Sequence, residues 1–164
     1  MQPKWKRTSA PFSRIGTIRM NVQLQQVDDE IQFQARNGSG YDFMVASADE
    51  LEGVSPMEMV ALGLGSCSSV DILNILEKQR QTVDRYDVNV DAERATDEVP
   101  AGFTHLHVHY TVEGDVEPEK MRRAIELSLD KYCSVSRMLE KTADISYAFT
   151  VNGTEYDGHT RQFE

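Results

Sequence analysis

The sequence predicts an α+β fold in which hairpins of strands flank one long helix. Residues 55–80 form a largely apolar segment with helical periodicity. Segments that alternate apolar and polar residues follow one another as pairs, without a helix between the members of each pair. The chain of 164 residues, 40% of them hydrophobic, is long enough to bury one core as a single domain.

Three short strands are predicted ahead of the long helix. Residues 15–22 and 30–35 alternate and are separated by an acidic turn at residues 28–29. The pair Asn37-Gly38 is typical of a second turn, and residues 41–46 form the third strand. We therefore expect an antiparallel arrangement of these strands.

The segment at residues 55–80 is predicted to form one long helix that is buried on most sides. Ser55 suits the N-cap, Pro56 the first turn, and Glu58 the positive end of the helix. Glycines and serines surround Cys67 in the middle of this helix, although a glycine costs up to about 1 kcal/mol there. We expect these small residues to let another backbone, or the second cysteine, come close to Cys67.

A long hairpin is predicted from residues 86–95 and 103–113, each with one wet face. Three histidines share the wet face of the second strand, and we expect three polar residues of the first strand opposite them. The two sets are His105, His107 and His109 and, facing them, Asp87, Asn89 and Asp91. Such a cluster can bind zinc, but cross-strand pairs of acid and histidine explain it without a metal, so no metal site is expected.

A second helix is predicted to begin near residue 117 and to break at residues 132–136. This break places Cys133 near the start of a short helix, a position that lowers the pKa of a thiol. A last strand covers residues 145–151. Residues 152–164 are expected to be a polar, poorly packed tail.

Charge and composition exclude several classes of function. The net charge is −10, and five basic residues with no acidic residue among the first 19 leave 12 basic and 27 acidic residues in the rest. A body this acidic argues against nucleic acid as a partner. Glycine and serine interrupt the long apolar segment, so we expect no membrane span. Residues 1–19 lack the apolar region of a secretory signal and are interpreted as a flexible or non-native basic extension.

The two cysteines, Cys67 and Cys133, are too few for a disulfide scaffold and lack the spacing of metal ligands. A reduced, cytoplasmic setting is the simpler expectation. On separate helices the thiols are either buried spacers or a redox pair, and composition alone favours buried spacers.

Two motifs together resemble the OsmC/Ohr superfamily, which comprises osmotically inducible protein C and the organic hydroperoxide resistance proteins. Ser-Pro-x-Glu opens the helix that carries Gly-Ser-Cys67, and Tyr132-Cys133-Ser134-Val135-Ser136 follows the long hairpin. The segments SPMEMV, SCSSVDI, FTHLHVHY and KYCSVSRMLEK are most similar to the YhfA-like branch. The resemblance covers most of residues 20–151, the expected domain. It implies an intertwined homodimer in which strongly bent antiparallel sheets wrap around two central helices.

The same resemblance implies a thiol-dependent peroxidase that protects against oxidative stress. Cys67 would attack a small organic hydroperoxide, and Cys133 would resolve the sulfenic acid to a disulfide. An external dithiol would then reduce this disulfide, with no metal or organic cofactor.

Two further residues are candidates for the glutamate and arginine that activate the thiolate in the superfamily. Glu58 lies one position away from the pattern, and Arg36 is chosen by its location beside the Asn37-Gly38 turn. Ser134 replaces the proline of many members. Because of these departures, the alternative is a non-catalytic dimeric OsmC-like protein that binds an apolar ligand at the dimer interface.

Overall fold

The computed structural model describes residues 18, 20–27, 31–46 and 52–161, and the chain divides into two compact units. These units are Met1–Met59 and Val60–Glu164. Of the predicted basic extension, residues 1–19, only residue 18 is described. At the start of the first predicted strand, residues 18, 20 and 21 are described and form no strand. Seven strands in the described part of the chain, and the helices between them, confirm the α+β class.

The first unit contains a three-stranded antiparallel sheet in the order β1-β2-β3, as predicted. Its strands are β1 (Val22–Gln26), β2 (Gln32–Asn37) and β3 (Asp42–Ala46). Strand β1 corrects the prediction for residues 15–22, because it begins only at Val22. The polar segment Val22–Gln26 forms a strand because backbone hydrogen bonding to β2 does not depend on side-chain polarity.

The second unit contains a four-stranded sheet in the order β4-β5-β6-β7. Its strands are β4 (Thr82–Arg94), β5 (Phe103–Asp115), β6 (Asp144–Val151) and β7 (Thr154–Arg161). The β4–β5 hairpin confirms the prediction. The β5–β6 pair is parallel, which corrects the expectation of purely antiparallel sheets. The helices between these strands provide the long crossover that a parallel pair needs.

Strand β7 corrects the expectation of a poorly packed tail after Val151. The preceding turn is Asn152-Gly153, with φ of 50° and 81°, a left-handed pair that favours a tight hairpin. Tyr156 of β7 stacks on Phe149 of β6 with ring centroids 5.2 Å apart. The turn signal was present in the sequence, but the polar composition beyond it obscured the strand.

Helix α1 (Pro56–Lys78) confirms the predicted long helix but is buried along one stripe only. The buried positions recur at helical spacing and are Ala61, Leu64, Gly65, Ser68, Ile72 and Leu76. Apolar side chains on other sides are exposed in the single chain and include Leu62 at 59% and Val70 at 61%. The helix therefore carries more apolar surface than the single chain covers, which corrects the expectation of burial on most sides.

By length and composition α1 is also apolar enough to cross a membrane, with a mean hydropathy of 1.6 over 18 residues. The glycines and serines therefore do not interrupt the apolar segment enough to fail this test, although no membrane span is expected from the sequence. Core helices of soluble proteins pass the same test, and the buried stripe of α1 belongs to the core of the second unit.

The helical connection between β5 and β6 has three parts: α2 (Pro118–Leu127), a π-helical turn (Ser128–Tyr132) and α3 (Ser134–Leu139). Cys133 lies between the π-helical turn and α3, so the predicted break is confirmed. The core of the second unit combines one stripe of α1, the inward faces of β5 and β6, and this connection.

Candidate functional site

Cys67 lies in the middle of α1, half-buried against the core of the second unit. The serines beside it bond within the helix: Ser66, Ser68 and Ser69 donate to carbonyl oxygens one turn earlier, over 2.6 to 2.8 Å. Their hydroxyls are thereby satisfied by the helix itself. The small side chains leave space around the thiol for a neighbouring element.

Gly63 and Gly65 show which neighbouring elements pack against this part of α1. A Cβ atom on Gly65 would lie 2.9 Å from Cγ2 of Val90 in β4, so α1 approaches the sheet as closely as a glycine permits. On Gly63 the nearest atom to a Cβ would be Cγ1 of Val135 in α3, at 4.0 Å. The expectation that small residues admit neighbouring segments beside Cys67 is confirmed.

Buried hydroxyl groups attach this part of α1 to its surroundings. Tyr110 of β5 donates to Oγ of Ser68 at 2.9 Å, and Tyr86 of β4 donates to Oγ of Ser69 at 3.2 Å. Ser128 of the π-helical turn donates to the carbonyl oxygen of Ser68 at 3.2 Å. Burial raises the pKa of both tyrosines, so both remain protonated donors. Sequence reasoning missed these two tyrosines, whose only signal is their position on the inward face of the hairpin.

Cys133 is fully buried and is the N-cap residue of α3. Its backbone N–H donates to the carbonyl oxygen of Ser128 at 2.8 Å, and its sulfur accepts from the N–H of Ser136 at 3.3 Å. Backbone on both sides therefore fixes the position of the thiol.

Burial raises the pKa of the Cys133 thiol to about 12, which corrects the prediction of a lowered pKa. The N–H of Ser136 opposes this rise, as expected at a helix N-terminus, but burial is the larger effect. Cys67 raises the pKa further through a hydrogen bond and charge repulsion between the two sulfurs. The two thiols are therefore neighbours, and both are reduced.

The two cysteines differ in access. Cys67 is partly exposed, whereas solvent does not reach Cys133. Because burial holds the pKa of the Cys133 thiol high, Cys133 stays protonated rather than becoming a competing thiolate beside Cys67. This arrangement suits an accessible nucleophile at Cys67 and a protected second thiol at Cys133.

Glu58 and Arg36 belong to the first unit, and the structure gives each a local partner. Ser55 donates its N–H to the Glu58 carboxylate at 2.7 Å, and its hydroxyl accepts from the Glu58 N–H at 3.2 Å, forming a capping box. These bonds lower the pKa of Glu58. Arg36 forms a bidentate ion pair with Asp42 over 2.5 and 3.0 Å. A role for either residue beside the thiols stays a prediction.

The three histidines share one face of β5, as predicted. Two of the three residues predicted to lie opposite them on β4 do so, and the third does not. Glu93 lies opposite His105, Asp91 opposite His107, and Asn89 opposite His109. The predicted partner Asp87 instead lies opposite Thr111, because the register of the hairpin depends on its irregular turn.

Hydroxyl groups of β6 bind all three imidazoles. Ser146 lies 2.8 Å from both His105 and His107, and Thr150 lies 2.9 Å from His109. Within the described residues, no group of three or more His, Cys, Asp or Glu side chains is arranged to hold a metal ion.

A cavity of about 520 Å³ lies between the second half of α1, the end of α2 and the π-helical turn. Asp71, Asn74, Lys78 and Gln79 line it from the side of α1, and Tyr132 lines it next to Cys133. Sequence reasoning missed this cavity. Its signal is the helical spacing that places Asp71 one turn beyond Cys67 on the same face.

The raised pKa of Cys133 predicts that stability falls in alkaline solution. The unfolded thiol loses its proton near about pH 8.5, whereas the native thiol keeps it up to about pH 12. The contribution is therefore complete below about pH 8.5 and is lost as the pH rises, by up to about 1.4 kcal/mol per unit. Urea unfolding of the reduced protein over this range measures the slope.

Cys133→Ala is the control for this slope, because it removes the thiol but keeps the buried tyrosines, whose raised pKa values also make stability fall in alkaline solution. We expect the variant to lose less stability than the wild type between about pH 8.5 and about pH 10. Equal slopes for the two proteins would contradict a raised pKa at Cys133.

Comparisons with known proteins agree with this fold. A family profile described as OsmC-like protein matches residues 48–148. Protein YhfA of Escherichia coli K12 is 38% identical over 133 residues, which cover 80% of this chain and 98% of that protein. A hypothetical protein from Aquifex aeolicus has a solved structure with a TM-score of 0.75 and 26% identity, over 83% of this chain and 98% of that one. An organic hydroperoxide resistance protein from Elizabethkingia anophelis shares the fold with a TM-score of 0.65 at 14% identity, over 85% of this chain and 100% of that one.

Proposed function

Because the chain belongs to the OsmC-like protein family, we propose that it is a cysteine-based peroxidase that reduces organic hydroperoxides with thiols. The observation that carries the proposal is the interaction between a partly exposed thiol, Cys67, and a buried thiol, Cys133, which lie close enough for one to raise the pKa of the other. The shared fold with a protein named for organic hydroperoxide resistance supports it.

The reaction proceeds in three steps. The sulfur of Cys67 attacks one oxygen of the hydroperoxide, the O–O bond breaks, and the alcohol leaves with a proton. The sulfur of Cys133 then attacks the sulfenic acid, water leaves, and a disulfide joins the two residues. An external dithiol reduces this disulfide and restores both thiols. Glu58 and Arg36 remain candidate activating residues.

Apolar residues of the second unit suit an alkyl hydroperoxide. Val60 is 36% exposed and Met138 is 63% exposed, one on α1 and the other on α3. The proposed substrate is therefore a small or fatty organic hydroperoxide rather than hydrogen peroxide.

The exposed apolar side of α1 supports a homodimer. Leu62, Val70 and Leu73 expose between 38% and 61% of their surfaces in the single chain, and an exposed apolar patch of this kind is typical of an interaction site. A second copy of the chain would cover these side chains in the proposed homodimer. The proposed location of the protein is the cytoplasm. The same surface favours the second candidate function, a non-catalytic dimer that holds an apolar ligand at its interface.

A thiol count separates the two functions. The reduced protein is treated with one equivalent of cumene hydroperoxide, and its free thiols are measured before and after. We expect the wild type to lose both thiols, Cys67→Ser to lose none, and Cys133→Ser to yield a trapped sulfenic acid at Cys67. Two unchanged thiols in the wild type would reject the peroxidase and leave the ligand-binding function.

A further inference from the structure

The cavity at the end of α1 continues the helix face that carries Cys67. Asp71 lies one turn beyond Cys67, Asn74 two turns, and Lys78 three turns. A ligand in the cavity therefore lies along the helix stripe that leads to the accessible thiol.

The opposite wall of the cavity leads to the second thiol. Tyr132, which lines the cavity, directly precedes Cys133. Ser128 shares its one hydroxyl proton between the Ser68 carbonyl oxygen and the Asp71 carboxylate, at 3.2 and 3.3 Å. Its carbonyl oxygen accepts the N–H of Cys133. One wall of the cavity is thus hydrogen-bonded to the segment that positions the buried cysteine.

The polar groups of the cavity fit a ligand that carries a positive and a negative charge. Oε1 of Gln79 is buried and has no hydrogen-bond partner among the described residues, so it is an acceptor that a ligand N–H can satisfy. The Asp71 carboxylate is a second acceptor, and both suit an ammonium group. Lys78 supplies one positive charge for a carboxylate.

The size and remaining walls of the cavity suit a molecule larger than a single amino acid. A volume of about 520 Å³ is within the range of sites for small organic ligands. Leu127 and Tyr132 provide apolar surface between the charged groups. These features describe a compact peptide-like molecule with an ammonium and a carboxylate group.

We propose that this cavity binds a low-molecular-weight thiol of that kind, which reduces the Cys67–Cys133 disulfide; this reductant role rests on the proposed function. The bound thiol attacks the sulfur of Cys67, and Cys133 leaves and takes up a proton. A second molecule of the same thiol attacks the mixed disulfide, so that Cys67 is released as a thiol and two reductant molecules leave joined as their own disulfide. Two molecules of this thiol thus supply the two electrons that one external dithiol supplies in the third step of the proposed reaction.

Binding is tested without any redox step, using S-methylglutathione and the reduced protein in isothermal titration calorimetry. We expect saturable binding to the wild type and at least about tenfold weaker binding to Lys78→Met and Asp71→Asn, since each loses a charged hydrogen bond. Lys141→Met and Glu77→Gln remove the same charges from exposed positions that do not line the cavity, and are expected to bind like the wild type.

Gln79→Leu gives a more specific signature. Removing the unpaired buried acceptor is expected to raise the stability of the ligand-free protein and to weaken S-methylglutathione binding in the same variant. A variant that merely misfolds would lose stability as well as binding. No heat of binding at millimolar ligand, or equal losses in the two control variants, would overturn the proposed site.

The reductant role is tested on disulfide formed with diamide, so that the result does not depend on peroxidase activity. Reduction by glutathione is expected to saturate with concentration and to slow at least about tenfold in Lys78→Met, while reduction by uncharged dithiothreitol is unchanged. Equal slowing with both reductants, or no saturation with glutathione, would overturn the role of the cavity in reduction.

Discussion

Replacing Phe149 with alanine is expected to lower the free energy of unfolding by about 3–5 kcal/mol. Phe149 is fully buried in β6 and stacks on Tyr156 with an angle of 13° between the rings. The guanidinium of Arg122 lies 5.0 Å from the ring centroid. The substitution removes both ring contacts and leaves a cavity in a core that packs at high density. Guanidinium unfolding followed by circular dichroism, at one fixed protein concentration, measures the loss.

The matched control for this change is Phe43→Ala in β3. Phe43 is 40% exposed, so its substitution removes less buried surface and leaves no closed cavity. We expect a much smaller loss than at Phe149. A similar loss at the two positions would show that stacking between β6 and β7 contributes little, and that the C-terminal strand is not part of the cooperative core.

The elements that the sequence predicts best are those with strong local signals. Ser55, Pro56 and Glu58 determine where α1 begins, and in the structure Ser55 and Glu58 form a capping box. The β4–β5 hairpin follows from regular alternation, and the interruption before α3 follows from a run of serine and β-branched residues around Cys133. Each of these features depends on neighbours within a few residues.

The features that sequence reasoning missed depend on distant parts of the chain. Strand β7 forms because β6 provides a partner for its backbone, and β6 pairs in parallel with β5 because a helical connection returns the chain to the same edge. The exact pairing of Asp91 and Glu93 with histidines depends on how the hairpin turn closes. Apart from the Asn152-Gly153 turn before β7, none of these arrangements has a signature in a short window of sequence.

The candidate site divides in the same way. Two thiol motifs point to Cys67 and Cys133 as a pair, and in the structure Cys67 lies near enough to Cys133 to raise the pKa of its thiol. The predicted direction of the Cys133 pKa shift was wrong. A sequence shows that the residue lies at the start of a helix, but it does not show that the thiol is completely buried. The cavity beside Tyr132 was missed for the same reason, since its walls come from three elements.

Gly65→Val is expected to destabilise the protein by about 1–3 kcal/mol, because it inserts a branched side chain where α1 meets β4. A Cβ alone would already lie 2.9 Å from Cγ2 of Val90, so one side of this contact must shift, and the two further methyl groups of valine push α1 away from the sheet. This movement also shifts the segment that carries Cys67. We therefore expect slower disulfide formation with cumene hydroperoxide together with the loss of stability, both measured on one preparation.

Gly63→Ala is the control that separates packing from helix propensity. Its Cβ would meet no atom closer than 4.0 Å, so the gain in helix propensity of up to about 1 kcal/mol should appear as added stability. At Gly65 the same change to alanine should gain less, and Val90→Ala should restore the difference in a double-mutant cycle. If alanine stabilised both positions equally, the close approach at Gly65 would not constrain α1, and the small residues beside Cys67 would need another explanation.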